Sequence, residues 1–180
     1  MAEKTVLVAY ATRYGSARIV AEDIRSHMEG SGVKVALVDL RKDRVPGNLK
    51  DYSLVVVGSS VAMFSWMAAA KNFLRKCKRA GVRPAIYITC GMAIEEPEKA
   101  ISKFMDKVVK RTGVKPVLTE AIPPAIDFRP GGIPENVKKR IKGTIQAMLK
   151  DEYQDDGLMD KRDAEKFNVF LGELVDFLNT

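Results

Sequence analysis

Val6-Leu7-Val8-Ala9-Tyr10-Ala11-Thr12-Arg13-Tyr14-Gly15-Ser16-Ala17-Arg18 is the stretch whose reading decides the fold. Its first half is an apolar run, too short to cross a membrane and too rich in β-formers for a helix, so it predicts a buried strand. The run then breaks into small and hydroxylated residues around Gly15. From Ile19 onward Ile19, Val20, Ile24 and Met28 recur at helical spacing with Glu22, Asp23 and Arg25 between them, which predicts an amphipathic helix. A strand, a short hydroxyl-and-glycine turn and a helix together build an anion site. The free amides that open the helix point out of the turn along its dipole, and the hydroxyls add donors without a bulky wall.

Working outward, other anion loops are excluded first. No Gly-Lys-Ser/Thr follows at Walker spacing, and there is no GxGxxG dinucleotide turn. A phosphoryl-accepting receiver domain needs acids at the end of its first strand, where Ala9, Tyr10 and Ala11 supply none. The single histidine, His27, lies on the first helix, is expected at the surface and excludes a Ser-His-Asp or Cys-His arrangement. Cys77 and Cys90 lie in different elements with no CxxC or histidine partner, which argues against a disulfide framework or a zinc site.

The chain has 180 residues, 46% hydrophobic and 29% charged, as expected of one globular domain spanning 1–180. No segment approaches the roughly 20 apolar residues of a membrane span, and Glu3 and Lys4 stand where a secretory signal would be apolar. A cytoplasmic protein with reduced thiols is expected. The net charge of +7 is uneven: residues 1–90 hold 15 Lys/Arg against 7 Asp/Glu, residues 91–180 hold 15 against 16. That asymmetry predicts a basic face for acidic partners or anionic surfaces. No helix-turn-helix, zinc-finger or RNP pattern accompanies it, so nucleic acid is not an expected partner.

Further strands are predicted at 33–38, 53–58, 84–89 and 114–122. Helices are predicted at about 67–80, after Pro97 with a face of Ile101, Phe104, Met105 and Val108, and at about 163–179. The helix at 67–80 carries Lys71, Arg75, Lys76, Lys78 and Arg79 and no acid. Strand and helix alternate, which winds a parallel sheet covered on both faces. Between the fifth strand and the last helix lies an extra segment, about 123–160. It contains a helix from Pro134 to about Lys150, with Val137, Ile141, Ile145, Met148 and Leu149 on one side and Lys138, Lys139, Arg140 and Lys142 on the other. An acidic stretch follows, with Asp151, Glu152, Asp155 and Asp156. Two readings of that helix stay open: packing on the domain with a solvated basic face, or docking to lipid or a partner.

The turn at 12–17 resembles the phosphate loop of the flavodoxin family, a Thr/Ser-x-x-Gly-x-Thr/Ser turn that wraps the monophosphate of FMN. The resemblance implies a flavodoxin-like doubly wound α/β fold, a five-stranded parallel sheet in the order 2-1-3-4-5 with helices on both faces and a helical insert after the fifth strand. It implies a crevice at the carboxyl ends of strands 1 and 3, with FMN as cofactor. Thr12, Arg13, Tyr14, Gly15, Ser16 and Ala17 would wrap the phosphate; Ala17 stands where the family usually has a threonine and leaves only a backbone amide there. Arg13 either offsets that loss with a charge-assisted contact or is a solvated loop arginine.

Two further loops converge on the same crevice: Ser59, Ser60, Val61, Ala62, Met63, Phe64 and Trp66 after the third strand, and Thr89, Cys90, Gly91 and Met92 after the fourth. In flavodoxins such loops hold the isoalloxazine ring. The second loop lacks the tyrosine that many flavodoxins stack on the outer ring face, so a more open ring is expected. Trp66 reads equally as core or as flavin contact, and Cys90 as a small buried residue. Ala-Thr-Arg-Tyr-Gly-Ser at 11–16, Gly-Ser-Ser-Val at 58–61, the basic insert helix and Asp-Lys-Arg-Asp at 160–163 resemble the menaquinone-dependent protoporphyrinogen oxidases, which pass electrons from a porphyrinogen to a quinone at a membrane. The expectation is an FMN electron carrier for redox partners with acidic faces, with an FMN oxidoreductase acting on a porphyrinogen or quinone as the alternative. Membrane-surface contact would fall to the insert helix. No metal ligands and no catalytic acid–base residues are assigned.

Overall fold

Six strands in the computed structural model form the main sheet, five of them parallel, and the model describes residues 4–45, 47–149 and 157–180. The apolar run at the N-terminus is β1 (Thr5–Ala11), paired in parallel with β2 (Lys34–Asp39) on one side and β3 (Leu54–Ala62) on the other. Beyond β3 lie β5 (Ala85–Thr89) and β6 (Leu118–Ile122), giving the order β2-β1-β3-β5-β6. Chain direction across the sheet therefore reverses between β1 and β3, which opens a crevice at their carboxyl ends.

Side chains alternate across the strands and feed two apolar layers. Leu7, Ala9, Val55, Val57, Ile86 and Ile88 face α2 (Ala68–Ala80), which contributes Phe73, Leu74 and Cys77. The same layer takes Phe104 and Met105 from a helix that begins as α3 (Pro97–Ala100), widens to a π-turn (Ile101–Met105) and continues as α4 (Asp106–Thr112). On the other face Val6, Val8, Tyr10, Val56 and Tyr87 meet Val20, Ile24 and Met28 of α1 (Ser16–Gly30) and Phe170, Leu171 and Leu174 of α6 (Ala164–Asn179). Each such fully buried side chain contributes about 1.5–3 kcal/mol. Asp163 starts α6 by accepting from the amides of Glu165 and Lys166 at 3.0 and 3.1 Å.

Three features differ from the sequence expectation. The third strand runs on to Ala62 and returns as β4 (Ser65–Trp66), antiparallel to it, so what reads as a loop is a hairpin. The fifth strand of the parallel set starts at Leu118 rather than Val114, because Pro116 has no N–H to give the ladder. The insert is more than a helix: β7 (Ala125–Asp127) pairs antiparallel with β8 (Leu158–Asp160), and α5 (Glu135–Leu149) packs beside them. Ile126, Phe128, Ile141 and Ile145 form its small apolar cluster, so the apolar side of α5 is spent on packing. Lys138 also departs from the expected solvated face, since its ammonium donates to the Phe128 carbonyl at 3.3 Å. The side chains of Met148 and Leu149, and the acidic stretch with Asp151, Glu152, Asp155 and Asp156, lie outside the described residues. Among the described residues no helix is long and apolar enough to cross a membrane.

Candidate functional site

The registers bring the carboxyl ends of three strands together: Ala11 lies beside Ser59, and Ser60 beside Thr89. The turn leaving β1 is held from several directions. Thr12 Oγ1 accepts from the Gly15 amide at 3.0 Å, Ser60 Oγ accepts from the Arg13 amide at 3.0 Å, and Arg41 donates to the Thr12 carbonyl at 2.8 Å. Gly15 sits at φ +90°, a conformation glycine adopts without strain. Ser16 Oγ accepts from the Ala125 amide at 3.1 Å, tying the turn to β7 of the insert, and Tyr14 and Ile133 join the insert's apolar cluster.

In the three bonds that end on Thr12 Oγ1, Ser60 Oγ and Ser16 Oγ the hydroxyl is the acceptor, so the O–H protons of Thr12, Ser16 and Ser60 remain available to a ligand. Ile19 N is the first amide of α1 to reach a carbonyl, that of Gly15, which leaves the amides of Ser16, Ala17 and Arg18 to open the helix. Hydroxyl donors and helix-opening amides around one turn are the donor set that a phosphate monoester requires.

Tyr87, which the sequence does not single out, and Gly58, which it marks only as the start of the 58–61 motif, hold this geometry. Tyr87 of β5 is fully buried and its hydroxyl donates to the Ala17 carbonyl at 2.7 Å, fixing the first turn of α1 from beneath. Its ring passes over Gly58, where an added Cβ would stand 2.0 Å from Tyr87 Cζ. Periodicity reveals neither, because Gly58 and Tyr87 read as ordinary positions within apolar strands.

Along the second loop Ser59 is fully buried; its hydroxyl accepts from the Met67 amide at 3.1 Å at the start of α2. Met63 and Phe64 form the two-residue tip of the β3–β4 hairpin at φ 50° and 59°, each 80% exposed. Val61 and Ala62 are half-buried on its rising strand. Arg13 reaches this tip, its guanidinium 3.6 Å from Met63 Sδ, and also lies over the Tyr14 ring. Trp66 is 4% exposed within the α2-side core, and its indole N–H has no partner among the described residues. In the third loop Gly91–Ile94 forms a single tight turn with Gly91 and Met92 half-buried. Cys90 is buried and burial pushes its thiol up; burial pushes Cys77 up to about 12. Both thiols are therefore unreactive at neutral pH. Thr89 Oγ1 is buried with no partner among the described residues, at the strand end beside Ser60. His27 is exposed, away from these loops on the last turn of α1.

A doubly wound sheet with an anion cradle at its switch point defines a nucleotide-binding α/β protein. The flavodoxin domain matches residues 7–156, and the chain belongs to that family. A short-chain flavodoxin associated with a non-canonical PDU bacterial microcompartment is similar over 97% of this chain and 99% of its own, with 15% identity and a TM-score of 0.57. Oxidised flavodoxin 1 from Bacillus cereus is similar over 84% of this chain and 100% of its own, with 13% identity and a TM-score of 0.51. The chain spans 31% of the length of rubredoxin oxygen:oxidoreductase from Desulfovibrio gigas, matched over 68% of this chain at 13% identity and a TM-score of 0.49. No curated protein sequence matches. The family makes the chain an FMN-type electron-transfer flavoprotein, and the donors of the 12–18 turn fit the cofactor's phosphate.

Proposed function

We propose that the whole chain, insert at 123–160 included, works as a cytoplasmic electron carrier that holds FMN non-covalently and exchanges electrons with protein partners through its basic face. The observation that carries this reading is the turn after β1, where the hydroxyls of Thr12 and Ser16, with that of Ser60 from β3, each keep a proton to donate beside the opening of α1. In this reading Thr12, Arg13, Tyr14, Gly15, Ser16 and Ala17 wrap the phosphate. Ser60, Val61, Ala62, Met63, Phe64 and Trp66, with Thr89, Cys90, Gly91 and Met92, flank the ring, and buried Ser59 positions the hairpin. FMN supplies the redox chemistry. The chain's residues bind, orient and set charge: Arg13 stands over the crevice mouth and favours negative charge on the reduced cofactor.

FMN titration followed by quenching of flavin fluorescence tests the reading, with saturable binding expected and unchanged emission overturning it. Arg13→Ala is expected to lower the midpoint potential or the FMN affinity; no change in either removes Arg13 from the account.

The exposed apolar tip of Met63 and Phe64 favours a second reading, an FMN oxidoreductase of the protoporphyrinogen oxidase type that passes electrons to a quinone. Reoxidation of the reduced protein by a quinone, with and without a porphyrinogen as donor, separates it from the carrier.

A further inference from the structure

A second concave site, about 290 Å³ in volume, lies between α2 and the helix of residues 97–112, beside the β3–β4 hairpin. Five cations line it: Lys71 and Arg75 from α2, and Lys103, Lys107 and Arg111 from the facing helix. Both sets recur at intervals of four residues, so each is a stripe of like charge on one helix face, an arrangement that costs helix stability. No acid lines the cleft among the described residues. Among the described residues none of the five has a carboxylate partner: Lys71 reaches only Ser65 Oγ at 3.5 Å, Arg75 donates to Asn72 Oδ1 at 2.7 Å, and Lys103 lies over the rings of Phe64 and Phe104.

Aromatic surface completes the walls. Phe64 and Phe104 meet with ring centroids 6.5 Å apart, and Trp66, whose indole N–H has no partner among the described residues, stands in the same lining. Repelling cations gathered around aromatic rings give nothing to the fold that five neutral residues would not give better. They suit a ligand that brings the missing negative charge together with a flat apolar body.

We propose that this cleft binds a small planar molecule bearing several carboxylate or phosphate groups, its ring against Phe64 and Phe104 and its anions on the two cationic stripes. The site is concave rather than a flat docking face, and its volume of about 290 Å³ stands at the lower limit for a small-molecule site. The proposal does not rest on the flavin reading, although Phe64 and Trp66 belong to both.

Trp66 is the only tryptophan, so its emission reports on the cleft. Benzenehexacarboxylate and adenosine triphosphate are titrated at low salt into the protein with and without FMN, followed by Trp66 emission and by calorimetry. Saturable binding of at least one is expected, and the one that binds assigns carboxylate or phosphate. Ring-free tripolyphosphate and the double variant Lys107→Gln/Arg111→Gln are each expected to weaken binding by about tenfold or more. Lys139→Gln/Arg140→Gln, which removes the same charge from α5, is expected to leave it unchanged. Absence of saturable binding by both ring compounds overturns the proposal. So does equal weakening in the two double variants, or binding of a polyglutamate peptide alone. FMN affinity is measured separately, so loss of the flavin reading and loss of this cleft are distinguishable.

Discussion

The turn that leaves β1 and the turn that leaves β3 stand at the same edge of the sheet and touch through Arg13 and Met63. They are built on opposite plans. In the first, the one left-handed residue is Gly15, and the surrounding amides and carbonyls are held by Thr12, Ser60 and Arg41. In the second, both left-handed residues carry large side chains, Met63 and Phe64, where Asn-Gly would adopt the same turn without strain. The first turn is preorganised to hold a ligand. The second retains backbone strain and leaves two large apolar side chains exposed, an expense that folding does not require and contact with another molecule does.

Breaking the support of the first turn should have the largest effect. In Gly58→Ala the new methyl meets the Tyr87 ring at 2.0 Å, and a loss of about 3 kcal/mol or more is expected in chemical denaturation, with weakened FMN binding. Tyr87→Phe keeps the space and loses only the bond to the Ala17 carbonyl, so about 1–2 kcal/mol is expected. If the two variants are equally stable, the ring does not cross Gly58 as described.

Next comes the anchor of the insert that flanks the same turn. Arg162, its side chain 11% exposed, pairs with Asp160 at 2.6 Å and with Asp23 of α1 at 2.6 Å. Arg162→Met should cost about 2–3 kcal/mol, less than a fully buried pair because both carboxylates keep contact with water. The loss should depend on pH. Burial pushes the Asp160 carboxyl up, but the Arg162 hydrogen bonds outweigh it and hold the group below the usual carboxylate range. A depressed carboxylate stabilises fully above its unfolded value, about 3.9, and the contribution is lost as pH falls through the folded value. The difference between wild type and Arg162→Met should therefore be full at neutral pH and narrow in acid; a constant difference would show that Asp160 is not the partner that matters.

An effect no larger than that of Tyr87→Phe, and of opposite sign, is expected at the second turn. Met63→Asn/Phe64→Gly should raise stability by about 1–2 kcal/mol by removing left-handed strain from two large residues. The same variant should slow electron exchange with partner or acceptor. Lower stability in thermal melts would mean that the tip serves folding, and the contrast between the turns would collapse.

Much of this was legible in the sequence because it is written in short-range patterns. Continuous apolar runs gave the parallel strands, four-residue recurrence gave the helices, and the hydroxyl-and-glycine turn after β1 marked the crevice. The hairpin was not legible, since Val61-Ala62-Met63-Phe64 carries none of the turn residues that announce a two-residue loop. Strands β7 and β8 leave no sequence signal because each is three residues long and pairs across more than thirty residues of chain. The cationic cleft is half visible in the sequence: the charge on α2 stands out, but Lys103, Lys107 and Arg111 lie on a helix whose clearest signal is its apolar face.

The sequence by itself determined the alternation of strand and helix, the place of the anion turn and the excess of positive charge in its first half, because neighbouring residues fix local backbone and local charge. Only the tertiary structure decided that Tyr87 reaches across Gly58 to α1, that Arg162 ties the insert to Asp23, and that two basic helices face each other around three aromatic rings. These depend on how distant segments pack, and a side chain's partner is set by the packing rather than by its position along the chain.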